Sequence, residues 1–181
     1  MSPLGFPHAI RTAFAAVALA MLALTGASAD QRAESSLTVL RLAAPGNVVV
    51  AGQVLDKEAL RVFYSRRQYA LAWNASVVGL GARASTVFTV LSNADCEGLE
   101  PADYHIREIS GLANATSIVD DIDRDLLLTD GLIRYATDVA GGKLGARQTD
   151  ERFLDRQSMG LPEYLAAASS LPPADLRQFL D

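Results

Sequence analysis

The sequence predicts a mainly α-helical protein, with one helical domain and short extended segments near its N-terminus. Along the stretch from Asp125 to Leu144, apolar residues recur at spacings of four, three and four and so share one helix face: Leu128, Leu132, Tyr135 and Val139. Runs of β-branched residues are few and short, too few for a sheet-dominated domain. A domain of about 150 residues can bury roughly 70% of its unfolded surface, so the length suits a single core.

The first 29 residues have the pattern of a cleavable secretory signal peptide. A short region with His8 and Arg11 precedes an apolar run from Thr12 to Leu24, and small residues follow at Ala27-Ser28-Ala29. The apolar run is shorter than the roughly 20 residues that span a bilayer. We therefore expect export and no stable membrane span after cleavage, leaving a domain of residues 30–181. An uncleaved amphiphilic anchor is the alternative.

The charge balance argues against nucleic acid as a partner. The whole chain carries a net charge of −5, and loss of Arg11 with the signal peptide makes it −6. A surface that tracks phosphates needs clustered basic residues. The densest basic cluster is Arg66-Arg67, with Arg61 one turn earlier, and it is interpreted as a solvated helix face.

The N-terminal third of the mature chain predicts a leader, extended segments and a helix. Residues 30–36 are uniformly polar and predict a mobile leader, whereas Leu37–Leu42 and Asn47–Val50 are short runs typical of strands or extended chain. Asp56 can cap a helix that begins near Lys57 and ends around residue 67.

The middle of the chain predicts a core aromatic, a helix and a turn. Trp73 is expected to fill the core, and Ser85–Ala94 carries apolar residues at helical spacing. In the turn from Cys96 to His105, Gly98 permits a left-handed backbone and Pro101 can open a helical turn. His105 is expected to be a surface or packing residue rather than a general base, because no partnered nucleophile accompanies it.

The C-terminal part predicts a helix stop and two further helices. Gly141-Gly142 can end the long helix, and Lys143–Gly160 is polar enough to predict a loop. Short helices are expected at Pro162–Ser169 and Pro173–Leu180.

Metal binding and thiol chemistry are both disfavoured. The aspartates from Asp120 to Asp125 resemble the start of a calcium loop counted from Asp121, but Leu126 and Leu132 stand where glycine and glutamate are needed. Acidic residues at a helix start are explained by the helix dipole. The single cysteine, Cys96, cannot form an internal disulfide and is expected to be small and partly buried, with a reactive thiol as the alternative. No catalytic, cofactor-binding or metal residues are predicted.

Three strings in order resemble one known module. They are LRVFYSRRQYALAWN (Leu60–Asn74), GLEPADYH (Gly98–His105) and DLLLTDGLIRYATDVAGGKL. From about Leu37 onward the chain resembles the scaffold domain of the large periplasmic murein L,D-transpeptidases, which crosslink peptidoglycan through a YkuD-type catalytic domain. Its markers are the FY…W pattern with Trp73, the GLxPxDYH pattern and the LLLTDxxxRYxxD pattern.

The resemblance implies a part of such an enzyme rather than its catalytic centre. Family members continue into a peptidoglycan-binding helical repeat and a catalytic domain with an S/T-H-G-C-type motif, and neither His8, His105 nor Cys96 lies in that motif. We expect a non-catalytic periplasmic scaffold module, truncated or split, whose partners are peptidoglycan, the catalytic domain or other cell-wall proteins. A free-standing periplasmic adaptor that binds peptidoglycan or a synthase is the alternative, and an independent hydrolase is disfavoured.

Overall fold

The computed structural model describes residues 31–73, 81–114, 116–141 and 160–180, and in these ranges the protein is mainly α-helical, as predicted. The expected signal peptide and most of the expected loop at Lys143–Gly160 lie outside the described residues. The helices, in chain order, are α1 (31–43), α2 (Lys57–Arg66), α3 (Ala82–Ser92), α4 (Ile106–Gly111), α5 (Ile118–Gly141), α6 (Leu161–Ala168) and α7 (Pro173–Leu180). None of the described helices is long and apolar enough to cross a membrane.

A two-stranded antiparallel sheet joins α1 to α2. Strand β1 (Val48–Val50) pairs with β2 (Gln53–Leu55), so that Val49 lies opposite Val54. The connecting residues Ala51 and Gly52 both have positive φ, 47° and 82°, which matches the twist that two-residue hairpins need. Alternation of side chains then buries one face of the hairpin and exposes Val49 and Val54.

Helix α5 lies at the centre of the molecule and contacts α2, α3, α4 and α6, while α7 packs on α3. Six of its apolar side chains are buried in the core: Ile122, Leu126, Leu127, Leu128, Leu132 and Ile133. Trp73 packs beside Phe63 of α2, with ring centroids 6.1 Å apart. Trp73 and Leu132 are each only 1% exposed, which confirms both as core residues.

Several predicted helix ends are confirmed. The Asp56 side chain accepts a hydrogen bond from the Ala59 backbone N–H at 3.0 Å and so caps α2. Gly98 adopts the left-handed conformation with φ 70°, and Pro101 opens a 3₁₀ turn that ends at Tyr104. Helices α6 and α7 lie within one residue of their predicted bounds.

The N-terminal segment corrects two predictions, because residues 31–36 and Leu37–Leu42 are helical rather than a leader and an extended run. The first residues of α1 are polar, so the sequence gives no amphipathic pattern there. The structure shows that the helix is amphipathic, because Leu42 is buried in the core. Arg41 forms an ion pair with Asp123 of α5 and fastens this helix to the centre. The partner that makes the segment helical is therefore distant in sequence.

Helix α5 differs from its prediction at its start and in how far its apolar stripe is buried, while its last residue, Gly141, lies at the predicted stop. It begins at Ile118, seven residues before the predicted start, because Ser117 accepts a hydrogen bond from the Asp120 backbone N–H at 3.1 Å in the manner of a capping residue. At the other end Tyr135 is half-buried and Val139 is 40% exposed. The predicted apolar stripe therefore leaves the core before the helix ends.

Candidate functional site

Asp125 is the centre of the first of two buried polar clusters on α5. Its carboxylate accepts hydrogen bonds from the Tyr64 hydroxyl at 2.5 Å, the Ala72 N–H at 3.0 Å and the Trp73 N–H at 2.8 Å. The side chain is 1% exposed. One carboxylate thus fixes both α2 and the chain that follows it, and the sequence, read without the fold, does not single it out.

Thr129 extends this cluster by one helical turn. Its hydroxyl accepts a hydrogen bond from the Trp73 indole N–H at 2.9 Å and lies 2.9 Å from the Tyr64 hydroxyl. A buried tryptophan N–H needs such a partner. The cluster of Tyr64, Trp73, Asp125 and Thr129, called here the Asp125 cluster, therefore satisfies the polar atoms of both aromatic residues.

Burial dominates the electrostatics of the Asp125 cluster. It raises the pKa of Asp125, and the N–H groups of Ala72 and Trp73, the Tyr64 hydroxyl and the charge of Arg67 offset only part of that effect. Burial and the nearby Asp125 carboxyl likewise raise the pKa of Tyr64 well above its ordinary value. These groups are enclosed and mutually bonded, which suits a structural role.

Asp130 is the centre of the second cluster, the Asp130 cluster, which joins four segments. Its carboxylate accepts hydrogen bonds from the Asp56 N–H at 2.7 Å and from Arg134 Nε at 2.6 Å, and it lies 2.7 Å from His105 Nε2. Arg134 also donates to the Val54 carbonyl at 2.9 Å. The start of α2, the sheet and the turn before α4 are thereby tied to α5.

The pKa of Asp130 shifts in the opposite direction to that of Asp125. Burial alone would raise it, but the hydrogen bonds from His105 and the Asp56 N–H, with the charge and hydrogen bond of Arg134, outweigh burial and lower the pKa. An ionised Asp130 is an acceptor only, so the facing His105 nitrogen carries the proton. Asp130 is therefore a structural anion held by donors from three directions.

His105 is a packing residue in the structure, as the sequence led us to expect. It is 3% exposed and occupies a left-handed conformation with φ 62° between the 3₁₀ turn and α4. A histidine oriented by a carboxylate is half of a general-base arrangement, but a base must also reach a nucleophile. The enclosed position of His105 instead favours holding the turn against α5.

Cys96 corrects a prediction, because the structure exposes this free thiol rather than partly burying it. It lies in the 3₁₀ turn Ala94–Glu97, where Ala94 and Leu99 face the core. Those two apolar residues point the intervening turn outward. The thiol borders a polar surface cleft of about 370 Å³ that Asn93 and Arg177 also line.

The aspartates near the start of α5 do not converge on one point. Asp123 pairs with Arg41 and Asp121 with Arg124, while Asp125 points into the core. Successive helical residues are rotated by about 100° and so face different directions. Among the described residues, no group of three or more histidine, cysteine or acidic side chains could hold a metal ion.

Comparison with known families decides the family of this chain. A family model described as "Scaffold domain" matches residues 58–181. The chain belongs to this scaffold domain family. No curated protein and no solved structure matches it significantly.

The region matched by the scaffold domain model runs from the first turn of α2 to the end of the chain. It includes the whole Asp125 cluster and all but Asp56 and Val54 of the contacts around Asp130. The Asp125 cluster therefore lies within the matched region, and the Asp130 cluster lies largely within it. The strands and α1 precede the matched region.

Proposed function

We propose that this chain is the non-catalytic scaffold module of a peptidoglycan-crosslinking L,D-transpeptidase. Membership of the scaffold domain family supports the scaffold role. The L,D-transpeptidase assignment is supported by the resemblance of the strings around Trp73, His105 and Asp125 to that family's pattern. In this role the chain supports a YkuD-type catalytic domain and supplies no reacting group.

The observation that carries the proposal is that polar side chains on α5 point into the protein and bind other segments of the chain. Asp125 binds the backbone after α2, whereas Asp130 binds the start of α2 and the turn before α4. Hydrogen bonds to charged groups in a buried setting are stronger and more orienting than neutral ones. A helix that fastens several segments in this way suits a rigid support for another domain.

The proposal places the protein in the periplasm. The motivation is the n-region, apolar run and Ala27-Ser28-Ala29 site at the N-terminus. Mass spectrometry of the protein from a periplasmic fraction should give a mature chain that begins at Asp30. A chain that begins at Met1, or that is recovered only from cytoplasm, would contradict this part of the proposal.

Binding to a catalytic domain tests the proposed function. The purified chain is titrated by calorimetry into an isolated YkuD-type catalytic domain from an L,D-transpeptidase of this type. We expect a one-to-one complex with a dissociation constant of about 1 to 10 μM, the strength of a modest domain interface. An unrelated acidic protein of similar net charge is the control.

Two outcomes of the same titration would contradict the proposal. No binding at a protein concentration of about 200 μM, far above the expected constant, would show that the chain does not support this class of domain. Binding that the acidic control protein reproduces would show only non-specific attraction.

A further inference from the structure

Four arginines gather near the C-terminal end of α2. Arg66 and Arg67 lie at the end of that helix, and Arg32 of α1 lines a cavity together with Arg67. Burial lowers the pKa of Arg67, and the nearby charge of Arg83 on α3 adds to that effect. The sequence alone shows only the Arg66-Arg67 pair. The fold therefore concentrates positive charge on one face of a protein whose net charge is −5.

Two adjoining surface cavities lie among these arginines, and together they are called here the arginine cleft. One, of about 840 Å³, lies between α2 and α6 and is lined by Arg66 and Ser170. The other, of about 600 Å³, is lined by Arg32 of α1. Arg67 and Gln68 line both cavities and so form the wall they share.

Arg67 is held in place by the protein and acts as the fixed wall of the cleft. Its guanidinium donates to the Ser169 hydroxyl at 2.5 Å and to the Leu71 carbonyl at 3.0 Å. The two residues that follow it, Gln68 and Tyr69, have positive φ of 53° and 61°, an uncommon backbone for residues other than glycine. This reversal of the chain sets the Gln68 side chain at the boundary of the two cavities.

Arg32 and Arg66 are the arginines available to a ligand. Both are exposed, and within the described ranges neither forms an ion pair. Arg66 also lies in the last turn of α2, where a positive charge favours the helix dipole. That effect accounts for one arginine but not for Arg32, which belongs to another helix. Glu163 is the one carboxylate among the described residues that line the cleft.

We propose that the arginine cleft binds a peptide strand with free carboxylates, namely the stem peptide of peptidoglycan, an inference that rests on the proposed function. Planar guanidinium groups match carboxylates with two parallel hydrogen bonds. The Gln68 amide and the Ser170 hydroxyl can bond a peptide backbone, and Ala166 and Ala167 offer a small apolar floor for methyl side chains. The cleft therefore combines partners for carboxylates, for a peptide backbone and for small apolar side chains.

Calorimetric titration of the purified chain with a soluble, unamidated stem tetrapeptide tests the site. We expect binding that weakens as sodium chloride is raised from about 0.05 to 0.3 M, because salt screens exposed charges. The double variant Arg32→Gln with Arg66→Gln should bind about tenfold more weakly. Arg61→Gln is the matched control, since Arg61 is exposed on α2 but does not line the cleft.

Two further arms identify the chemistry of the ligand. The same peptide with its carboxylates amidated should lose binding, and inorganic phosphate should compete only weakly. Unchanged affinity for the amidated peptide, equal losses in the double variant and Arg61→Gln, or no binding of the unamidated peptide would each overturn the proposed site. If inorganic phosphate bound as tightly as the peptide, the cleft would be a simple anion site, and the proposed peptide ligand would be wrong.

The double variant also separates this inference from the proposed function. It should bind the YkuD-type catalytic domain as the unmodified chain does, and its thermal unfolding should match that of Arg61→Gln. Loss of peptide binding with retained domain binding supports the cleft. Peptide binding that depends on both arginines, in a chain that does not bind the catalytic domain, would support the cleft and contradict the supporting role.

Discussion

At the scale of single residues, α5 places two buried aspartates five positions apart and gives them opposite electrostatic environments. Burial prevails at Asp125 and raises its pKa, whereas donors prevail at Asp130 and lower its pKa. The difference arises because Asp130 has an arginine and a histidine as partners, while Asp125 bonds mainly to backbone N–H groups and a tyrosine. Two identical side chains on one helix thus hold neighbouring segments by different means.

Neither cluster could be predicted from the sequence. The hydrogen bond from Trp73 to Asp125 joins residues 52 positions apart, and that from Asp56 to Asp130 joins residues 74 positions apart. Local periodicity reports which face of a helix is apolar, but it does not report which distant backbone group a buried carboxylate meets. The short spacing of Asp125 and Thr129 on an otherwise apolar face was the one available signal.

Replacing Asp125 with asparagine should destabilise the protein. Oδ2 of the carboxylate accepts from the Ala72 and Trp73 N–H groups, and Oδ1 accepts from the Tyr64 hydroxyl and the Ala72 N–H. An amide NH₂ group in the place of either oxygen cannot accept, so the buried donors that face it lose a hydrogen bond. We expect the free energy of unfolding in urea to fall by about 2 kcal/mol. Asp123→Asn is the control on the same helix, because its pair with Arg41 is partly exposed and should contribute less than about 1 kcal/mol. Equal effects of the two substitutions would contradict the assigned role.

The lowered pKa of Asp130 predicts a dependence of stability on acid. Its native-state ionisation contributes stability above the ordinary aspartate pKa of about 4, and that contribution is lost as the pH falls through the lowered native value. From about pH 5 to pH 2, unfolding free energy should therefore fall less steeply in Asp130→Asn than in the unmodified chain. Asp125 has the opposite sign but is present in both proteins. Parallel curves would disprove the assignment.

At the scale of elements, the sequence predicted those helices whose pattern is local. The capped start of α2, the 3₁₀ turn opened by Pro101 and the two C-terminal helices follow from caps, prolines and spacing. Helix α1 was missed because its polar start offers no periodic signal, and its anchor is Asp123 on α5. A helix that depends on contacts with residues distant in sequence cannot be predicted from the local spacing of its own residues.

The apolar stripe of α5 gives a test with its own control. Leu132→Ala should lower the free energy of unfolding by about 2 to 5 kcal/mol, because it leaves a cavity in the core. Val139→Ala, two turns along the same predicted stripe but 40% exposed, should cost less than about 0.5 kcal/mol. Urea unfolding of both variants measures the difference. A Leu132→Ala effect as small as that of Val139→Ala would show that the helix is turned differently.

Gly131 gives a test of close packing between α5 and the turn before α4. A methyl group at this position would lie 2.8 Å from the Tyr104 carbonyl oxygen, so Gly131→Ala should destabilise by about 1 to 3 kcal/mol despite the helix preference of alanine. Gly111→Ala meets nothing within 4 Å and is the control. Thermal unfolding measures both. Stabilisation by Gly131→Ala would mean that the turn does not approach α5 closely.

At the scale of the whole molecule, α5 links nearly every other part of the described structure. It contacts four helices, pairs with α1 through Asp123 and holds the sheet through Arg134 and the Val54 carbonyl. The scaffold domain family and the mainly helical class agree with this architecture. The central claim that we propose is that such a molecule supports crosslinking chemistry and does not perform it.

The mass of the intact protein after exposure to a carbapenem tests that claim most directly, because carbapenems acylate the catalytic cysteine of L,D-transpeptidases. Cys96 is exposed and should react with a general thiol reagent, which verifies that the thiol is free. With the carbapenem we expect an unchanged mass, because Cys96 lies in a turn and His105, the one histidine among the described residues, is enclosed against Asp130. A stoichiometric adduct that disappears in Cys96→Ser would contradict the account and make this thiol a nucleophile.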